Sequence, residues 1–533
     1  VQDGFDPERE QDTRHSEVGW QLRAEALVPA LTVVWHPDLE RVGERVLLPQ
    51  LARGRDVRIS RLEPDFAAPR AGRPRSLGLA HLSRTPLTLL ALGRDGFGLR
   101  RGECPIEIEV DGLRLDHEAT VNQERLREGV VLLLAERIVL VFQLLDAGAL
   151  AAELPTYGLI GESDALQRLR LSLARASGVE VPVLLRGATG TGKELVAQAI
   201  HQHGPRREQP FVAVNVGALP TELAAAELFG TSRGAYTGAT RDRSGCFRRA
   251  HRGTLFLDEI GEASNEVQVM LYRVLETGMV RSLGEDLDRP VDVRVIAATD
   301  SDLEAAVDAG SFRAPLLHRL GGYEIAVPPL RARRDDIGRL LSGFLRDELG
   351  ALGRMDLLES TDHRAAWLPA RLVAQMARLD WPGNVRQLRN VCRELAVHGA
   401  DRDQVEVGPQ LARLLAEPVG VNERPASRAP DGAKVLAGAV HRRPGEVGED
   451  ELYQALASNS WRLKPAAAAL GISRTSLYAL MEAHPRVRTA ASLSPAEVEA
   501  SWCANGGDLE AMVKELEVSK EGIARRVREL GLR

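Results

Sequence analysis

Hydrophobic and polar residues alternate through "PIEIEVDGLRL", where Ile106, Ile108 and Val110 interleave with Glu107, Glu109 and Asp111. A period of two marks a strand with one buried face, and Asp111-Gly112 supplies the turn that ends it. "LTLLAL", "VVLLLA" and "RIVLVFQLL" add apolar strands, and no helical periodicity interrupts them. Glu136 and Arg137 split the run "GVVLLLAERIVLVF", so it reads as two strands and a turn and not as a membrane span. Residues 31–150 are therefore expected to form a small β-sandwich behind a flexible opening segment, residues 1–30.

From residue 156 the pattern changes. Buried strands ("VPVLLRG", "PFVAVNV", "GTLFLDE", "VDVRVIAATD", "YEIAVPPL") alternate with helical stretches. Such alternation predicts an α/β domain with a mainly parallel sheet over 156–330, and a helical region follows over 331–416. Residues 417–447 are rich in Pro, Gly and Ala and read as a linker. The remainder, 448–490 and 491–533, is a helical duplication. "ELYQALASNSWRLKPAAAALGISRTSLYALME" and "EVEASWCANGGDLEAMVKELEVSKEGIARRVR" align without a gap at an offset of 46 residues. Asn459 meets Asn505, Leu470 meets Leu516, Ile472 meets Val518 and Ser473 meets Ser519. Two copies make a duplicated domain, not a solenoid. The fold class is thus multidomain: β-sandwich, α/β with a helical lid, and all-α.

At 533 residues the chain is long enough for such an array. Its net charge of −6 gives no global nucleic-acid signature, so any DNA contact must come from a local basic patch. The four cysteines are far apart and form no CxxC pair, which suits a reducing compartment. The opening "VQDGFDPEREQDTRHSE" is polar and shows no signal-peptide pattern, and a cytoplasmic, membrane-free location is expected.

Chemistry concentrates in the α/β region. "GATGTGKE" follows an apolar strand and opens the helix "ELVAQAIHQH". Gly187, Gly190 and Gly192, with Thr191, let backbone N–H groups turn inward around phosphate oxygens. Lys193 neutralises the outer phosphates, so ATP is the expected ligand. Glu194 stands where a hydroxyl would meet Mg²⁺, and a carboxylate there reaches the ion through a water. "TLFLDE" presents Asp258 and Glu259 at a strand end, the first suited to hold Mg²⁺ and the second to polarise an attacking water.

These stretches, in order with "PFVAVNVGALP", "AELFG", "GAYTGA", "FRAPLLHRL", "PPLRARRDDI" and "WPGNVRQLRN", resemble the AAA+ domain of bacterial enhancer-binding proteins, the activators of sigma-54 RNA polymerase. The resemblance covers about half the chain. It implies that Asn215 restrains Glu259, that Asp300 stands at the sensor position where the family often has Asn, and that Arg386 reaches the nucleotide from the lid. Arg313 and Arg319 match arginine fingers supplied to a neighbouring subunit, which implies a homo-oligomeric ring, a hexamer in this family. Pro315 lies between them and is expected to distort the segment. The loop Gly234, Ala235, Tyr236, Thr237, Gly238, Ala239 matches the tip that engages sigma-54, with Tyr236 in place of the usual Phe as its contact side chain.

The first C-terminal copy resembles the Fis-type helix-turn-helix. Arg474, Thr475, Ser476 and Tyr478 would begin its recognition helix, facing the major groove of a double-stranded enhancer site. In the second copy Lys520 and Arg525 suit phosphate contacts. The sandwich resembles a forkhead-associated domain, a phosphothreonine reader. Arg61 matches its phosphate-binding Arg, and Ser83 and Arg84 its loop motif, while Pro86 replaces the usual His. These readings imply an ATP-driven activator that remodels the sigma-54 polymerase holoenzyme and is regulated by a phosphothreonine or protein partner. Two alternatives stay open on the sequence: a DNA-binding regulator that uses nucleotide only as a ligand, and a general AAA+ unfoldase.

Overall fold

A computed structural model describes residues 27–69, 72–93, 96–150, 154–233, 242–359, 366–416 and, discontinuously, 449–530. It divides into two compact units, 1–421 and 422–533.

The first unit begins with ten strands in two sheets. They are β1 (Leu27–Trp35), β2 (Arg45–Leu47), β3 (Val57–Ile59), β4 (Leu87–Ala91), β5 (Phe97–Arg100), β6 (Ile108–Val110), β7 (Leu113–Arg114), β8 (Glu118–Val121), β9 (Val130–Leu134) and β10 (Ile138–Asp146). One sheet runs β2-β1-β10-β9-β6-β7, the other β3-β4-β5-β8. The expected turns form where the sequence placed them: Asp111 and Gly112 take positive φ, and so do Ala135 and Glu136 between β9 and β10. Two expectations need correcting. Strand β1 starts at Leu27, inside the segment taken as flexible, because Leu27 pairs with Asp146. A short helix, α1 (Gln123–Glu128), also interrupts the strands, started by Asn122, whose side chain accepts from the Arg125 N–H.

The long apolar strands have both faces buried. Val130, Leu132, Leu134, Ile138, Leu140 and Phe142 point into the sandwich core. The intervening Val131, Leu133, Val139 and Val141 join a second core with residues of the helical region, among them Ile337, Leu341, Leu345, Val373, Met376 and Ala377. The sandwich and the lid therefore share one continuous apolar interface. The lid helices involved are named below, and the contact is close enough that a Cβ on Gly338 would lie 1.9 Å from the Val34 carbonyl oxygen.

Charged residues seal the rim. Arg371 pairs with Glu109 at 2.7 Å and also with Glu136. Arg378 donates to the Asp111 carbonyl at 2.5 Å, and Arg45 to the Glu162 carbonyl at 2.6 Å. The "RRDD" stretch, hydrophilic in sequence, is buried here. Arg334 donates to the carbonyls of Ala377 and Arg378, while Asp336 accepts from the Glu162 and Ser163 N–H groups and from the Ser163 hydroxyl. Burial, with Asp336 nearby, pushes the Asp335 carboxyl well above the usual carboxylate range.

The α/β part has five parallel strands, β11 (Val183–Arg186), β12 (Phe211–Asn215), β13 (Thr254–Asp258), β14 (Arg294–Thr299) and β15 (Tyr323–Ala326). Their order is β12-β13-β14-β11-β15. Helices α2 (Asp164–Ser177), α3 (Lys193–Gln202), α4 (Asn265–Thr277) and α5 (Ala314–Leu320) are among those connecting or flanking the strands. The lid comprises α6 (Ile337–Ala351), α7 (Ala370–Arg378), α8 (Asn384–Gly399) and α9 (Pro409–Ala416), with a short turn of helix at Asp356–Glu359. In an open parallel sheet the carboxyl ends beside a reversal of strand order form the natural ligand crevice. Here β11 lies next to β14, with β12 and β13 beyond it.

In the second unit, α10 (Glu449–Ser458) and α11 (Pro495–Ala504) begin 46 residues apart, matching the sequence offset. Buried positions repeat at the same spacing: Leu452 with Val498, Ala466 with Met512, Leu477 with Ile523, and Met481 with Val527. All eight belong to one apolar core, so the duplication is structural and both copies are needed to fill it. No helix among the described residues is long and apolar enough to cross a membrane.

Candidate active site

The glycine-rich turn joins β11 to α3, with Gly190 at φ 77° and Gly192 at φ 100°. Only glycine adopts these angles without strain, and the turn aims backbone N–H groups into the crevice. Lys193 is the first residue of α3. Its ammonium donates to the Gly187 carbonyl at 2.6 Å, and the residue as a whole is buried. Burial lowers its pKa, opposed by the charges of Asp300, Asp258 and Glu259. Thr191 is buried, and its hydroxyl donates to the Ala188 carbonyl at 2.8 Å.

Asp258 ends β13 in register with Asn215 at the end of β12. Its carboxyl is pushed up by burial and, among lesser causes, by the charges of Glu259 and Glu194, and is pulled down by the Glu259 N–H and Lys193. The exposed Glu194 therefore lies within electrostatic reach of Asp258. Magnesium commonly takes one or two protein carboxylates and completes its shell with phosphate and water. The pair Asp258 and Glu194 fits that pattern, and no cluster of three ligating side chains occurs among the described residues.

Glu259 has a left-handed backbone, φ 54°, which is uncommon for a non-glycine residue and recurs at functional sites. Its carboxylate lies over Gly217, where a Cβ would stand 2.6 Å from Glu259 Oε2 and 3.5 Å from Asn215 Oδ1. The structure thus places Asn215 and Glu259 on either side of the same glycine. Asn215 Oδ1 also accepts from the Ala218 N–H at 2.8 Å.

Asp300, just after β14, accepts from the Thr189 hydroxyl at 2.5 Å, and that hydrogen bond leads the lowering of its pKa. The carboxylate is therefore engaged with the P-loop itself. Arg386, exposed on α8, contributes to the field at Lys193 and belongs to this group.

Arg313 and Arg319 are exposed, and their contacts are with α4 and the residues it carries. The Arg313 N–H donates to Gln268 Oε1 at 2.9 Å, and Arg319 bonds the Leu275 carbonyl at 3.1 Å and pairs with Glu276 at 3.5 Å. The expected distortion by Pro315 does not occur. Pro315 sits in the first turn of α5, where a missing N–H costs nothing.

Sequence reasoning missed Asn384. It is fully buried at the start of α8 with φ 51°, and it touches the P-loop. Its signal was the turn "WPGN", because Asn tolerates left-handed backbone better than other non-glycine residues.

The loop residues Gly234, Ala235, Tyr236, Thr237, Gly238 and Ala239 lie outside the described residues. On either side, Gly230 pairs with Ser244 and Thr231 with Arg243 in an antiparallel ladder, and the Arg233 N–H donates to Asp242 Oδ1 at 2.7 Å. Arg474, Thr475, Ser476, Tyr478, Lys520 and Arg525 also lie outside the described residues, as does the linker 417–447. On the sandwich, Arg61 and Ser83 occupy adjacent loops. The Arg61 N–H donates to the Ser83 carbonyl at 3.0 Å, and Arg84 is exposed beside them.

Residues 159–326 match the family described as the Sigma-54 interaction domain, and residues 331–411 match the AAA+ ATPase lid domain. The DNA-binding transcriptional regulator NtrC of Klebsiella pneumoniae is 42% identical over 298 residues, 56% of this chain and 61% of that protein. The nitric oxide reductase transcription regulator NorR1 of Cupriavidus necator is 41% identical over 330 residues, 60% of this chain and 62% of that protein. Both matches span less than two thirds of the relative's length. Among solved structures, NtrX from Brucella abortus in complex with ATP is 25% identical, covers 72% of this chain and 71% of that chain, and gives a TM-score of 0.43. Together the two matched stretches form an AAA+ ATPase domain and its lid.

Proposed function

We propose that the chain is an ATP-dependent transcription activator that binds an enhancer site in DNA and remodels the sigma-54 RNA polymerase closed complex. The observation that carries this reading is the joint presence, in one domain, of the Lys193–Asp258–Glu259 group and the GAYTGA sequence, which lies between the paired strands at 230–231 and 243–244.

ATP·Mg²⁺, when bound, supplies the phosphoryl group. Lys193 and the P-loop N–H groups would hold its phosphates, and Asp258, with Glu194 nearby, would hold the ion. Glu259 orients and deprotonates the attacking water, and Asn215 restrains it until the nucleotide is in place. Asp300 senses the outer phosphate through the Thr189 contact. Arg313 and Arg319 project towards a neighbouring subunit of a homo-oligomeric ring, read as a hexamer, and stabilise charge there, an effect on the order of 10³-fold or more. Their exposure on this chain suits an action in trans.

Tyr236 is the side chain of the GAYTGA sequence that contacts sigma-54. Arg474, Thr475, Ser476 and Tyr478 read the DNA, and Lys520 and Arg525 add phosphate contacts. Such a protein works in the cytoplasm, where the polymerase is. The sandwich carries the regulatory input, and Arg61, Ser83 and Arg84 form its candidate phosphothreonine site. Because its β9 and β10 share a core with the lid, a partner bound there acts on the lid directly and needs no flexible tether.

Tyr236→Ala separates engine from contact. ATP turnover is expected to be largely retained, since no hydrolytic role is assigned to Tyr236, while open-complex formation by sigma-54 polymerase is lost. A Tyr236→Ala protein as active as wild type in promoter opening would refute the assignment of the loop.

A further inference from the structure

We infer that Asn384 is a positioning residue for ATP hydrolysis: it fastens the P-loop to the lid and thereby keeps Arg386 aimed at the nucleotide. The inference deepens the ATPase reading and rests on it. One side-chain amide makes both connections. Asn384 Nδ2 donates to the Thr189 carbonyl at 2.9 Å, and Asn384 Oδ1 accepts from the Leu330 N–H at 2.8 Å. Thr189 lies in the P-loop, and Leu330 lies in the connector between the α/β part and the lid. Asn384 is fully buried, so neither bond is replaced by water without cost.

The surrounding backbone makes the same junction. The Arg386 N–H donates to the Gly190 carbonyl at 3.3 Å. A Cβ on Gly190 would lie 2.3 Å from the Gly383 carbonyl oxygen. The apex of the P-loop and the first turn of α8 are thus in backbone contact, with Arg386 two residues beyond the amide. On the other side, Thr189 uses its hydroxyl to reach Asp300. A continuous path of hydrogen bonds runs from the end of β14, through Thr189, to Asn384 and the lid connector.

The chemistry of the position is restrictive. Aspartate keeps the acceptor but loses the donor, leucine has neither, and glutamine carries the amide one methylene too far. The left-handed backbone at φ 51° further favours Asn, Asp or Gly.

Asn384→Asp is therefore the discriminating variant. It suits the backbone and the Leu330 N–H, yet sets a carboxylate oxygen against the Thr189 carbonyl. In the nucleotide-free chain, amide hydrogen exchange in residues 187–193 is expected to rise. With ATP, kcat is expected to fall roughly 10- to 100-fold, the size of one lost buried hydrogen bond. Because Asn384 acts through Arg386, the double variant Asn384→Asp/Arg386→Ala is expected to be no slower than Arg386→Ala alone. Should Asn384→Asp melt early, Asn384→Gly, which keeps the backbone angle, serves in the same comparison. Additive losses in the double variant, or unchanged exchange at 187–193, would overturn the inference while leaving the ATPase reading intact. A wild-type chain without ATP turnover would instead overturn the reading on which it rests.

Discussion

Glu259→Gln is expected to cut ATP turnover by about 10²–10⁴-fold, the usual contribution of a general base, while ATP still binds. The substitution keeps the side chain's length and leaves the left-handed turn at the end of β13 occupied. It also leaves Lys193 and the P-loop untouched, so the phosphate cradle is preserved. What it removes is the proton acceptor that lies over Gly217 beside Asn215. Steady-state phosphate release and fluorescent-nucleotide binding check the two halves separately. Turnover within a factor of two of wild type would mean that another group activates the water. Loss of binding as well would mean that Glu259 is structural.

The second large effect concerns the interface between sandwich and lid. Replacing a helical glycine by alanine ordinarily stabilises a helix by roughly 0.5–1 kcal/mol, because glycine has more backbone freedom to lose. At Gly338, inside α6, the sign is expected to reverse. The new Cβ would fall 1.9 Å from the Val34 carbonyl oxygen and 2.7 Å from its carbon, and both are backbone atoms that cannot rotate away. Overpacking of this kind typically costs about 1–3 kcal/mol. Gly338→Ala should therefore lower the thermal midpoint of the full chain. A raised midpoint would mean that β1 does not rest on α6 in solution.

The modules of this protein could be read from its sequence more easily than their joins. Strict alternation in "PIEIEV" gave a half-buried strand, and Ile108 and Val110 are buried as that pattern demands. The motif residues Lys193, Asp258, Glu259 and Asn215 converge because each terminates or follows a strand of one parallel sheet, a topological consequence that spacing alone encodes. The 46-residue offset likewise reappears as matched buried positions.

The docking of sandwich on lid was written in the same letters but in a less specific form. "VVLLL" and "IVLVF" are continuous apolar runs, which fit either a strand deep in a sandwich or a strand covered on its second face by another domain. Nothing local distinguishes the two. The burial of "RRDD" was hidden for a related reason. Arg334 is met by the Ala377 and Arg378 carbonyls and by Asp380, and Asp336 by Glu162 and Ser163, partners far away in sequence. Asn384 escaped notice because its role depends on a long-range contact with Thr189, and Pro315 looked disruptive only because the start of α5 was not known to the residue.

Promoter opening by sigma-54 RNA polymerase on a template carrying the protein's DNA site, with ATP or with a non-hydrolysable analogue, tests the central claim most directly. Permanganate footprinting of the melted region reads the outcome. The account predicts open complexes with ATP and none with the analogue. Opening that proceeds equally with the analogue, or without nucleotide, would contradict it.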